Sequence, residues 1–153
     1  MVDPIEFTET TPRFKLPFLF TGQSQKEFYV NEAHAIADLL IHTAVVEELT
    51  SPPASPADGG IWLVGPGASG EWESHDGCLA GRQAGTWKFV TPVEGMRVFD
   101  ESAGQTIIYK SGWIRPTAPD SPTTGAVADA ELRIAFGELI ETLRNAGIFP
   151  ETS

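Results

Sequence analysis

Ile61-Trp-Leu-Val64, Gly77-Cys-Leu-Ala80, Trp87-Lys-Phe-Val90, Met96-Arg-Val-Phe99, Thr106-Ile-Ile-Tyr109 and Trp113-Ile114 are short apolar and β-branched runs with glycine turns between them. A spacing of roughly ten residues with turn signals in each gap is the pattern of a small all-β unit, here an antiparallel meander or barrel. Gly70-Glu-Trp72, Gly85-Thr-Trp87 and Ser111-Gly-Trp113 each set a tryptophan just after a glycine turn. Their intervals are unequal, so they read as one hairpin device used three times rather than as a repeat.

Upstream, the spacing predicts a helix from Ser24 or Gln25 to His42, with Ser24 and Glu27 placed as a capping box. Its apolar stripe is read through Phe28, Ala33, Ile36, Ala37 and Leu40; a second four-step line runs through Phe28, Glu32, Ala35, Leu39 and Thr43. Thr43 to Leu49 alternates and contains Val45 and Val46, which favours a strand. Thr50 to Gly60 is a loop by its three prolines and paired glycines.

Downstream, Asp129 to Asn145 places Leu132, Phe136, Leu139 and Leu143 at steps of four, three and four, the stripe of a helix that must bury one face. The preceding Pro116-Thr-Ala-Pro-Asp-Ser-Pro-Thr-Thr-Gly125 favours an extended tether. A helix of about four turns is marginal alone, so it is expected to be covered either by the β domain or, most simply, by copies of itself. The first residues carry Phe14-Lys-Leu-Pro-Phe-Leu-Phe20, too apolar to float free. Phe14, Leu16, Phe18 and Phe20 are therefore assigned to a docking arm. The expected fold class is α+β: an N-terminal arm (1–24), a helix plus β domain (25–115), a Pro-rich linker (116–128) and a C-terminal oligomerisation helix (129–147).

The 153 residues accommodate one core with tails. Ten Lys plus Arg stand against 21 Asp plus Glu, with no basic run, which argues against a nucleic-acid partner. No apolar stretch approaches a membrane span, and the first residues lack the basic head and apolar run of a secretory signal, so a soluble protein made in the cytosol is expected. Cys78 stands alone, which excludes an intrachain disulfide and a thiolate-rich metal site.

Few residues offer chemistry. Ser74-His75-Asp76 brings a hydroxyl, an imidazole and a carboxylate together in sequence, but neighbours in a chain rarely point at each other, and Asp76-Gly77 is a common tight turn. His34 and His42 are two helical turns apart, too far for one metal. Gly65-Pro-Gly-Ala-Ser-Gly70 lacks the Lys-Ser/Thr ending of a phosphate loop. The tryptophans are the one chemically suggestive set: Trp72, in a polar turn, offers a platform for a sugar ring, and the flanking Glu71, Glu73 and Asp76 suit sugar hydroxyls, a sugar acid or calcium, although a solvated turn accounts for them as well. Trp62, Trp87 and Trp113 are expected to fill the core. No catalytic residues, no metal ligands and no cofactor are assigned.

Thr11-Pro-Arg-Phe-Lys-Leu-Pro-Phe18, Gly22-Gln-Ser-Gln-Lys-Glu27, Asn31-Glu-Ala33, Ser51-Pro-Pro-Ala-Ser-Pro-Ala57 and the Gly-Trp hairpins together resemble a domain-of-unknown-function family found in tail-fibre-like and other virion proteins of bacteriophages and gene transfer agents. The resemblance spans Thr11 to Trp113. It implies a non-enzymatic structural module of a virion, assembled in the host cytoplasm, with no catalytic residues to carry over. A tail fibre or fibre-base subunit is expected, homotrimeric by analogy, self-associating through Leu132, Phe136, Leu139 and Leu143 and docking onto other virion tail or capsid proteins. The alternatives are a carbohydrate-binding adsorption module reading a host surface glycan, or a head decoration or spike protein.

Overall fold

The computed structural model describes residues 26–83, 85–120 and 129–150, with residues 26–28 and 31 described by backbone alone. The docking arm with Phe14, Leu16, Phe18 and Phe20, the Ser24 cap and residues 121–128 of the linker lie outside the described residues.

Helix α1 (Lys26–Leu40) buries Ala35 and Leu39. The stripe through Ala33, Ile36, Ala37 and Leu40 is thus rotated from the one used: Ala35 and Leu39 lead, with Ile36 and Leu40 packed beside them. Glu32, on the same line, bonds Lys88 Nζ at 3.0 Å. Thr43 Oγ1 donates to the Leu39 carbonyl at 2.8 Å, and His42 takes a left-handed φ of 51°, which turns the chain out of the helix.

The next six residues organise the molecule. β1 (Ala44–Val45) and β2 (Glu48–Leu49) are consecutive two-residue strands that join different sheets. β1 runs parallel to β6 (Arg97–Asp100), and β2 runs parallel to β3 (Ile61–Val64). Phe99 and Glu101 donate to the carbonyls of Thr43 and Val45, while Val46 donates to Ile61 and Leu63 to Glu47. This one segment therefore satisfies backbone groups of both sheets.

The first sheet has the order β1-β6-β7-β8, with β7 (Gln105–Tyr109) and β8 (Trp113–Ile114); the second has β2-β3-β4-β5, with β4 (Leu79–Gln83) and β5 (Thr86–Val90). The β3-β4-β5 and β6-β7-β8 pairings are antiparallel. The expected purely antiparallel meander or barrel is corrected to two four-stranded mixed sheets that do not close. Closure fails because β5 and β8 are outer strands of different sheets, and the parallel strand entering from α1 occupies the seam.

Leu39, Val45, Leu63, Leu79, Val90, Val98 and Ile107 form the main core between α1 and the two sheets. Period two then sends Trp62, Val64 and Ala80 to the opposite face of the second sheet, where they build a smaller core around Trp72. This sheet is covered on both faces.

Helix α2 (Ala130–Asn145) starts where the sequence places it: Asp129 Oδ1 accepts from Leu132 N at 2.9 Å. It ends in a Schellman arrangement. Gly147 adopts φ 67°, its N–H reaches the Arg144 carbonyl, and Ile148 N reaches the Leu143 carbonyl.

Candidate functional site

The carboxylate and tryptophan set around Trp72 is built by a single 3₁₀ turn, Gly70–Trp72, which rolls the indole inward. Trp72 is 0% exposed. Its ring meets Trp87 edge-on at a centroid distance of 5.1 Å, and Trp87 meets Trp62 at 5.6 Å. Trp87 Nε1 donates to Glu71 Oε2 at 3.2 Å, and the Arg82 guanidinium lies 5.0 Å from the Trp87 ring. The platform expected at Trp72 is corrected accordingly: a ring with no exposed face cannot stack on a sugar. Glu71 and Glu73 remain exposed beside it.

Ser74, His75 and Asp76 do not converge. The His75 ring lies flat on Phe89, with centroids 3.6 Å apart. The Asp76 carboxylate faces the other way and accepts from Gly67 N at 2.8 Å and Ala68 N at 2.9 Å. Those two backbone bonds, Gly67 first, hold its pKa below the ordinary carboxylate value. Asp76 is a clasp for the 65–69 loop. Burial pushes the Cys78 thiol up, against a smaller opposing bond from Thr91, so it stays protonated at neutral pH and inert. Among the described residues no cluster of three or more His, Cys, Asp or Glu could hold a metal ion.

On α2 the four stripe residues separate. Phe136 and Leu143 are half-buried and Ile140 is buried, whereas Leu132 is 66% and Leu139 53% exposed. The end of the helix meets the first sheet: Gly147 O accepts from Thr106 N at 2.5 Å, and Gly147 packs on Phe99. A cleft of about 510 Å³ lies between this helix end and Phe99, Gly104 and Thr106.

A second concavity was not foreseen. Where the two sheets face each other, Glu48, Asp76, Tyr109, Gly112, Trp113 and Arg115 line a cleft of about 310 Å³. Arg115 bridges Glu48 Oε2 at 2.8 Å and Asp100 Oδ2 at 3.1 Å. Asp100 is 1% exposed, and its Oδ1 accepts from Ser102 Oγ at 2.7 Å and Ala103 N at 3.3 Å. Trp113 Nε1 donates to the Gly77 carbonyl at 2.9 Å, and its ring meets Tyr109 edge-on at 5.4 Å. One signal for Asp100 was present in the sequence: period two along Arg97-Val-Phe-Asp100 puts the carboxylate on the inward face of Val98, where it needs a cation. Arg115 follows the neighbouring hairpin and supplies it.

No helix of the described residues is long and apolar enough to cross a membrane. No curated protein shows a significant match to the chain. Residues 30–114, more than half of the chain, from within α1 through every strand of the two sheets to the end of β8, match the family described as Protein of unknown function (DUF2793), and the protein belongs to that family.

Proposed function

We propose that the protein is a non-enzymatic virion structural subunit, a phage tail-fibre or fibre-base component that self-associates through α2 and docks onto other virion proteins by its aromatic N-terminal arm. The observation that carries this reading is the pair of exposed leucines, Leu132 and Leu139, one heptad apart on a four-turn helix. Leucines at that spacing are the repeating contact of a helical bundle, and a helix this short gains stability from having them covered. The occupant we assign is a second copy of the same helix, because an equal stripe on each copy is self-complementary about a symmetry axis. The resemblance over Thr11 to Trp113 supports a virion setting and a trimer, with a head decoration or spike protein as the other member of the same class.

The test is mass in solution. Light scattering on the wild-type chain should give a multiple of 16.5 kDa, and the Leu132→Asp, Leu139→Asp double variant should give the single-chain mass with unchanged circular dichroism from the β body. A wild-type chain that is monomeric at every concentration examined sinks the assembly reading.

A further inference from the structure

We propose that the cleft between the two sheets is a binding site for a neutral pyranose sugar, free or as a unit of a glycan chain, with Trp113 and Tyr109 as its apolar wall and Asp76, Glu48 and Arg115 as its polar rim. The proposal goes beyond the assembly role and stands whether or not α2 self-associates.

The charges choose the ligand class. Glu48 and Asp76 bring two carboxylates to the rim and Arg115 one guanidinium. An anionic ligand would meet the carboxylates, and a metal ion would meet Arg115 within the same wall. Each charge is also already engaged: Arg115 by Glu48 and Asp100, and Asp76 by the Gly67 and Ala68 amides. What these groups still offer is spare hydrogen-bond capacity, since a carboxylate accepts about four bonds and a guanidinium donates five. A ligand rich in hydroxyls and without net charge uses that capacity, and its C–H faces suit the aromatic wall.

The geometry is preset. Trp113 is fixed by its bond to Gly77, Tyr109 by the edge contact with Trp113, Arg115 by a fully buried Asp100 and Asp76 by its loop. None of these side chains must be ordered when a ligand arrives, which lowers the entropic cost of binding. The wall also contains a built-in control position. A Cβ added to Gly112, which lines the cleft, meets no atom within 4 Å, so there is room for a side chain at this position of the wall.

The experiment follows the four indole N–H resonances of the folded full-length chain by nitrogen-15 NMR. Methyl glycosides of glucose, galactose and N-acetylglucosamine, and disaccharides ending in each, are titrated in; glucuronate and calcium chloride serve as probes of the rival chemistries. A saturable shift of the Trp113 indole by a neutral sugar, with Trp62, Trp72 and Trp87 unmoved, is the expected result. Response to the methyl glycosides identifies a free or terminal unit, and response to the disaccharides alone identifies a chain-borne one. In Gly112→Leu the same titration should be about tenfold weaker or worse. Should that variant lose its folded spectrum, saturation transfer from Trp113→Phe to the sugar replaces it and should be weakened likewise. A Trp113 resonance unmoved by every neutral sugar, moved only by glucuronate or calcium, or moved equally in the variant overturns the proposal.

Discussion

Leu39 sits directly over Gly81: a Cβ built on that glycine would lie 2.2 Å from Leu39 Cδ2 and 2.7 Å from Cδ1. The helix approaches the second sheet at the one strand position without a side chain, and that close approach sets where α1 ends and where the Thr43 to Leu49 segment enters the seam between the sheets. Because Leu39 belongs to the main core together with Val45, Leu63 and Leu79, it has little room to move aside.

Gly81→Ala is therefore expected to cost about 1 to 3 kcal/mol through overpacking. Gly112→Ala is the control, since its Cβ meets nothing within 4 Å, and it should stay within about 0.5 kcal/mol of wild type. Urea unfolding of the three proteins measures the difference as a shift in midpoint at constant slope. Equal midpoints for the Gly81 variant and wild type would mean that the helix does not rest on this glycine.

The bridge from Arg115 to Asp100 and Glu48 carries a second expectation. Removing the guanidinium leaves the Asp100 carboxylate buried with only Ser102 and Ala103 as partners on Oδ1. Arg115→Met is expected to destabilise by about 1 to 3 kcal/mol, the cost of leaving a buried polar group half satisfied. The value falls short of a fully buried pair because the Arg115 side chain is a third exposed. The double variant with Asp100→Asn removes the stranded charge and should recover part of the loss. A double-mutant cycle in denaturant reads the coupling, and additive losses would show that the two side chains act independently.

Much of this architecture can be read from the residues, and the misreadings have specific physical causes. Ile61–Val64 and Trp113–Ile114 have the expected strand limits, and the other four runs shift by one to three residues, because β-branched and aromatic residues between glycine turns leave few alternatives. Asp129 as a cap is equally legible. The parallel pairings of Thr43 to Leu49 are not, since alternation says that a segment is extended but not which sheet it joins. The α1 stripe is misplaced because Leu39 is favoured by Gly81, more than forty positions away in sequence, and helical spacing alone does not register that cavity. Trp72 misleads for a similar reason: its neighbours Glu71, Glu73 and Ser74 are exposed, yet one 3₁₀ turn carries the indole beneath them. The inter-sheet cleft draws Glu48, Asp76 and Trp113 from three distant segments, so no local pattern announces it.

Asp76 makes the loop that borders this cleft dependent on pH. Gly67 N and Ala68 N both donate to its carboxylate, and these bonds exist at full strength only while the group is ionised, which is why its folded pKa is depressed. The sign follows from linkage: a carboxyl with a lowered folded pKa stabilises the fold above its unfolded pKa, near 3.9, and that contribution is lost as pH falls through the lower folded value. The amide proton resonances of Gly67 and Ala68 should accordingly titrate together, with one shared midpoint below the ordinary aspartate value, moving upfield as the carboxylate is protonated. Asp76→Asn should abolish that titration in both amides while Ser102 and Ala103, which bond Asp100 on the other sheet and do not line the cleft, keep their resonances. Two different midpoints, or amides that stay flat through the acid range in the wild-type chain, would show that the carboxylate does not clasp the loop in solution, and the polar rim of the cleft would then lack one of its fixed members.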